Sequence, residues 1–433
     1  MNRLILQLFS AFIIVMLIVA IWPETETSSQ PNDVNRAIIA ATAVPTPIPT
    51  LPPTPQPLSV SSPASLQPGQ SHPGDGFGQA IAVDGTTAVI GAPQANNGQG
   101  AVTIFTRQGG QWRETAHLTA SDGAANDNFG RAVAISGQTI LVGASGHSAA
   151  RWQAGAAYVF QFSNGRWQQT AKLLPGSAQD IRFGWSVALD GDTAVVGAPY
   201  RYQGEMLNVG SATIFTRQGP AWQQQARLTS GLSGGAVGSD LFGWAVAIRG
   251  SSLVVGAYLN ATVYSYEFTN GQWRQTAMLR DGTGGNQFGY SVALSQNSLV
   301  VGAPAANVPV NRGGTAVLFT RQSGGSWTEA ARLAPEGLRP GSRFGWSVAL
   351  DGGVLVVGMR ESEGRSDVEE SGGAFAFRIT NGQTTGKAEL YAPVPAPFAH
   401  MGTAVATANG VIFAGAPGQR DTPGVVTVFA LNN

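Results

Sequence analysis

Seven times along the chain, an aromatic–Gly step is followed, fourteen residues after its first member, by a Gly that closes an apolar run. Phe77-Gly78 leads to Gly91, Phe129-Gly130 to Gly143, Phe183-Gly184 to Gly197, and Phe242-Gly243 to Gly256. Phe288-Gly289 leads to Gly302, Phe344-Gly345 to Gly358, and Met401-Gly402, with Met in place of Phe, to Gly415. The spacing inside the unit is fixed, while the unit itself varies from 46 to 59 residues. That is the pattern of a repeat architecture, in which each copy is one supersecondary element that buries its face against its neighbours.

Each unit spells four strands. The first is Phe-Gly-x-Ser/Ala-Val-Ala, as in Phe183 to Leu189; a tight turn such as Asp190-Gly191-Asp192 leads to an apolar second strand, Thr193 to Ala198. A third strand (Ala212 to Phe215 in this unit) comes after a loop of variable length. Turns such as Asn164-Gly165 and Asn270-Gly271, strong short-hairpin signals, connect to a fourth strand reading Trp-x-x-x-Ala-x-Leu, as in Trp112/Ala116/Leu118. Side chains alternate faces along a strand, so Gly184, Ser186 and Ala188 make one face small while Phe183, Trp185, Val187 and Leu189 make the other bulky. Four-stranded sheets packed face to face around an axis form a β-propeller. The expected fold is therefore all-β, a seven-bladed β-propeller of four-stranded antiparallel blades.

The last unit ends after its third strand, at Val426 to Phe429, whereas Val60-x-x-x-Ala64-x-Leu66 precedes the first unit with Val60 at the Trp position. The N-terminal strand is expected to close the last blade, leaving no free sheet edge at the seam.

Ahead of it, Arg3 precedes Leu4–Trp22, apolar apart from Gln7 and Ser10. A hydrophobic helix of that length suffices for a hydrocarbon core of roughly 30 Å, and Glu24 and Glu26 beyond it suit export of the remaining chain. Ile18-Val19-Ala20 also offers a cleavage site. The organisation read from the sequence is a signal-anchor or signal peptide over 1–22, a Pro/Thr-rich linker over 23–58 and the propeller over 59–433. The linker is an extended spacer, because Pro recurs at nearly every second position from Pro45 to Pro55. The expected location is extracytoplasmic, membrane-anchored if the first segment stays and secreted if it is cleaved.

These units resemble FG-GAP repeats, best known from the N-terminal propeller of integrin α subunits. Gly91-Ala92-Pro93, Gly197-Ala198-Pro199, Gly302-Ala303-Pro304 and Gly415-Ala416-Pro417 carry the full Gly-Ala-Pro; Gly143-Ala144-Ser145, Gly256-Ala257-Tyr258 and Gly358-Met359-Arg360 depart from it. The resemblance implies an extracellular adhesion or binding module. Integrin-like propellers bind calcium in Asp-rich hairpin loops, but the matching turns here, among them Asp84-Gly85 and Asp351-Gly352, are too short to space six to eight oxygen ligands. No metal and no cofactor are expected, and the loop Asp122 to Asn128 reads as a turn.

Lys+Arg 25 against Asp+Glu 25 gives no electrostatic case for nucleic acid, and the absence of Cys removes disulfides and thiolate chemistry. His72, His117, His147 and His400 fall at non-equivalent positions without a metal-ligand spacing, and Gly-rich patches such as Gly231–Gly238 lie between blades and read as loops. The expectation is binding without catalysis, to a protein partner, with a lectin-like carbohydrate-binding propeller as the alternative; oligomeric state is left open. Two sets of residues are candidates for contact. Arg151/Trp152 and Tyr200/Arg201/Tyr202 lie on variable loops, where function concentrates. The residue after each Phe-Gly is Gln79, Arg131, Trp185, Trp244, Tyr290, Trp346 or Thr403. In integrin-like propellers that position lines the mouth of the central channel, which makes Trp185, Trp244, Tyr290 and Trp346 a partial cage for Arg or Lys.

Overall fold

The computed structural model describes residues 56–432 apart from 149–152, 202–207, 232–238, 282–284, 363–367 and 419–420. The apolar N-terminal segment and nearly all of the linker lie outside the described residues, as do Trp152 and Tyr202. Among the described residues, no helix is long and apolar enough to cross a membrane.

Seven four-stranded antiparallel blades succeed one another along the chain. Blade 1 runs Ala80–Asp84, Thr87–Ala92, Ala101–Gln108 and Gln111–Leu118; blade 2 runs Phe129–Ser136, Thr139–Ala144, Ala156–Ser163 and Arg166–Leu173. Blade 3 runs Ser186–Asp190, Thr193–Ala198, Ser211–Gln218 and Ala221–Leu228, and blade 4 Ala245–Arg249, Ser252–Ala257, Thr262–Thr269 and Gln272–Arg280. Blade 5 runs Ser291–Leu294, Ser298–Ala303, Thr315–Arg321 and Trp327–Leu333; blade 6 runs Phe344–Asp351, Val354–Met359, Gly373–Thr380 and Gln383–Leu390. Blade 7 takes Ala404–Ala408, Val411–Ala416 and Val425–Ala430 from the C-terminal end and its fourth strand, Ala64–Leu66, from the N-terminal end. The expected closure is therefore present, with Leu66 opposite Val426 and Val60 bridging Leu431.

The core is a set of slices between blades rather than one central mass. Each of seven apolar clusters spans two neighbours; one joins Val89, Ile104 and Leu118 of blade 1 to Phe129, Val142 and Tyr158 of blade 2. Phe77, Phe129, Phe183, Phe242, Phe288, Phe344 and Met401 are all fully buried, and hiding a ring of that size contributes about 2–3 kcal/mol. The outer-strand tryptophans reach back onto the preceding blade: Trp112 meets Phe413 edge-on at 5.1 Å, and Trp327 Nε1 donates to Ser265 Oγ at 3.0 Å. Val60, at the Trp position of the closing strand, packs into the slice between blades 6 and 7.

The two glycines of each unit meet across the blade boundary. A Cβ on Gly91 would overlap the carbonyl oxygen of Gly130, and the same holds for Gly143 with Gly184, Gly197 with Gly243, Gly256 with Gly289, Gly302 with Gly345, and Gly358 with Gly402. Gly415 with Gly78 closes the ring. The second-strand Gly of one blade thus lies against the Phe-Gly carbonyl of the next. Within a unit the Phe-Gly amide donates to the second-strand Gly carbonyl, as Gly78 N does to Gly91 O at 3.0 Å and Gly184 N to Gly197 O at 3.1 Å, which fixes the fourteen-residue spacing. Ser186, Ser291 and Ser347 reinforce the boundary, donating at 2.8–2.9 Å to Gly243, Gly345 and Gly402 carbonyls.

Each first strand runs from the end carrying the variable loops to the end carrying the tight hairpins. The hairpin end is stitched blade to blade: Gly137 N donates to Asp84 Oδ2 at 2.6 Å, Gly250 N to Asp190 Oδ2 at 2.6 Å, and Asn409 N to Asp351 Oδ2 at 3.0 Å. The acidic turn residues are thereby committed to the fold. The chain joins the propeller from this same end. Gln56 and Pro57 pair in parallel with Gly386 and Lys387 on the outer strand of blade 6, and the chain then climbs into blade 7. Ladder pairing thus begins before Ser59, within the segment read as linker.

Candidate functional site

Of the residues expected at the mouth of the channel, the aromatic ones are contiguous. Trp185 and Trp244 have ring centroids 4.7 Å apart, Trp244 and Tyr290 5.4 Å, and Tyr290 and Trp346 4.7 Å. All four are partly exposed. They form an arc over blades 3 to 6, while Gln79 and Thr403 leave blades 1 and 7 without a ring there.

The loops between second and third strands extend the arc. Blade 4 has the shortest such loop, a single turn Tyr258–Asn260, which lays Tyr258 against Trp244 at 4.7 Å and Tyr290 at 5.4 Å. In blade 3 a two-residue ladder pairs Ile181 with Tyr200 and Asp180 with Arg201, setting Tyr200 edge-on to Trp185 at 5.7 Å. Buried Asp180 anchors that ladder by accepting from Arg227 Nε at 3.0 Å and Ser211 Oγ at 2.9 Å. The mouth residues and the variable loops are therefore one surface, at the end opposite the hairpins.

Arginines stand at both ends of the arc. Arg131 lies with its guanidinium carbon 4.2 Å from the Trp185 centroid; Arg360 stands 4.8 Å and Arg343 6.0 Å from that of Trp346. Two of the four rings thus carry a cation from this chain. Arg343 and Arg360 share Glu361, at 2.5 and 3.2 Å. Burial, then the Arg360 charge, hold the His400 imidazole below its ordinary pKa. Burial pushes the Tyr290 and Tyr258 phenols up, so both hydroxyls stay protonated.

A second polar cluster belongs to blade 2. Buried His147 places Nδ1 2.8 Å from Asp127 Oδ2 and Nε2 2.8 Å from Lys172 Nζ; Lys172 also reaches Asp122 Oδ2 at 2.5 Å, and Tyr158 donates to Asp122 Oδ1 at 2.9 Å. Burial alone would raise the Asp122 carboxyl, but hydrogen bonds from Lys172 and Tyr158 outweigh it and leave the pKa below its usual value. Asp127 further accepts from Ala124 N at 2.9 Å, which makes the Asp122–Asn128 loop a turn tied to the sheet. In the sequence His147 stands isolated, because its partners are 20 and 25 positions away, Asp127 in the loop before the first strand of blade 2 and Lys172 on its outer strand. Among the described residues, no cluster of three or more His, Cys, Asp or Glu side chains is placed to hold a metal ion.

The parts played by Tyr258 and Arg360 are not among the sequence-based expectations. A signal exists: both occupy the place where Gly-Ala-Pro has its Pro, and a side chain there, at the loop end of the second strand, points to the mouth.

No curated protein shows a match to the sequence. A solved structure of a candidate 6-phosphogluconolactonase from Bacteroides fragilis is similar with a TM-score of 0.49 and 11% identity, covering 72% of this chain and 85% of that one. The FG-GAP repeat matches six times, over residues 61–105, 112–160, 167–215, 222–267, 273–319 and 327–377. Each matched segment begins at or near the outer strand of one blade and ends in the third strand of the next, so the first includes the strand that closes the ring. With six of its seven boundaries matched over more than half its length, the chain belongs to the FG-GAP repeat family.

Proposed function

We propose that the protein is an exported binding module that presents the loop end of its propeller to a protein partner and catalyses nothing. The FG-GAP propeller fits a binding module, and the family is generally non-catalytic. The observation that carries the reading is the contiguous, partly exposed arc Trp185–Trp244–Tyr290–Trp346, continued by Tyr200 and Tyr258. Large rings that stay accessible beside variable loops are the residues that dominate interface energetics. Gln56 and Pro57 pair with the outer strand of blade 6 and the chain enters blade 7 from the hairpin end, opposite the arc. FG-GAP repeats typify exported proteins, in keeping with the apolar run Leu4–Trp22 and the Pro-rich segment after it.

Replacing Trp244 and Trp346 by Ala tests the reading. Capture of a defined partner is expected to weaken at least about tenfold while thermal unfolding changes little. Unchanged capture with lost stability would make the arc a structural plug. Capture displaced by free saccharide would favour a lectin.

A further inference from the structure

We infer that the Arg131 end of the channel mouth is a receptor for a carboxylate. The inference rests on the proposed use of this face for binding and names the chemistry of what is bound there. The Arg131 guanidinium carbon lies over the Trp185 ring, 4.2 Å from its centroid, a contact that uses none of its N–H donors on an acceptor oxygen. Among the described residues, Arg131 forms no ion pair, and neither does Arg182 beside it. Its side chain makes no hydrogen bond to the described residues either, yet it retains access to solvent. Arg343 and Arg360, across the arc, differ in sharing Glu361.

An unpaired charge withdrawn from water is costly, and a planar fork of donors suits a carboxylate bidentately. The groups felt most strongly by Arg131 are the phenols of Tyr290 and Tyr200 and the guanidinium of Arg182. Burial, with Arg182 adding to it, lowers the Arg131 pKa from its ordinary value, and no carboxylate is among these neighbours. The Tyr290 hydroxyl, kept protonated by burial, is a donor suited to the same anion. Trp185 and Trp244 offer an apolar wall for the body that carries it. A mouth whose cations are its own takes an anion more readily than a second cation, which redirects the cage from Arg or Lys toward Asp, Glu or an acidic sugar.

The test titrates the full-length protein with N-acetylglutamate amide and with glucuronate, and with N-acetylglutamine amide and N-acetyllysine amide as controls. Ligand-observed NMR serves as the readout. A carboxylate probe is expected to bind saturably and at least tenfold more tightly than the glutamine and lysine probes. Arg131→Gln is expected to remove that preference while changing the melting temperature little, since it takes away an unpaired, partly desolvated charge together with its contact to Trp185. Arg131→Lys keeps the charge without the fork and should bind several-fold more weakly; it decides the matter if Arg131→Gln fails to fold. Whether glutamate or glucuronate binds more tightly identifies the source as acidic side chain or acidic sugar. Equal binding of the glutamate and glutamine probes, tighter binding of the lysine probe, or wild-type binding by both Arg131 variants would overturn the inference. Carboxylate binding lost in Arg131→Gln, combined with partner capture indifferent to Trp244→Ala, would uphold it and count against the proposed use of the face.

Discussion

Two glycines in blade 3 separate the physical reasons for glycine. Gly197 has an ordinary backbone conformation, but its Cβ would overlap Gly243 O and Ser186 Oγ; Gly191 has open space around it and a φ of +54°. Gly197→Ala is expected to cost about 3 kcal/mol or more, since the Gly243 backbone must move and Ser186 must give up its hydrogen bond to it. Gly191→Ala should cost about 1–2 kcal/mol, the left-handed penalty alone. Urea unfolding of the two variants checks the order, and equal costs would mean that the blade boundary relaxes. Asp240 gives a pH prediction. It is fully buried, its Oδ1 accepts from Phe242 N at 3.0 Å, and burial raises its pKa. The folded state then holds the proton more tightly than the unfolded chain, so stability falls as pH rises from the usual Asp value through the raised one. Asn286 performs the same backbone contact in blade 5, accepting from Phe288 N at 3.0 Å. Asp240→Asn should therefore be more stable than the parent at pH 7, with the difference vanishing as the pH falls toward about 4. A variant less stable at pH 7 would show that the ionised form is needed.

At the scale of the element, the closing strand Ala64–Leu66 is short yet completes a ladder and covers the slice that holds Phe413 and Val426. A chain beginning at Ser59 loses the Gln56–Pro57 pairing, the Leu58 N to Lys387 O hydrogen bond and the packing of Leu58 on the blade 6–7 slice, and should unfold modestly below the parent. A chain beginning at Gly69 should lose about 3 kcal/mol or more, from Leu66 burial and an exposed ladder edge; calorimetry of both distinguishes them. The strands and this closure were legible because the repeat makes seven independent statements of one pattern. The hairpin turns were legible too: Asn164-Gly165 and Asn270-Gly271 both have positive φ at each position, as the two-residue turn requires. What could not be read was contact across a blade boundary. Trp185 closes a turn ahead of the strand Ser186–Asp190, with Gly184 at a φ of +86°, so alternation does not carry to it, and whether Arg131 or Trp244 fills the space beside it depends on ring radius and on loop length. The Asp122–Lys172–His147–Asp127 network was hidden for the same reason, as were the Asp84 and Asp190 clasps at the hairpin end.

For the molecule as a unit, the two ends of the ring differ in kind. One is stitched by short turns, and the chain joins there; the other gathers the loops, the aromatic arc and the arginines. Only the second end is expected to meet a partner. Leu259, half exposed beside Tyr258, and Asn270, in a hairpin turn, mark the two ends of blade 4. A photo-crosslinking amino acid placed at one or the other, in the full-length protein displayed on its own cells, compares them directly. The prediction is a discrete adduct from position 259 that disappears in Trp244→Ala, and none from position 270. A discrete adduct from position 270 alone would contradict the assignment of the loop end as the binding face.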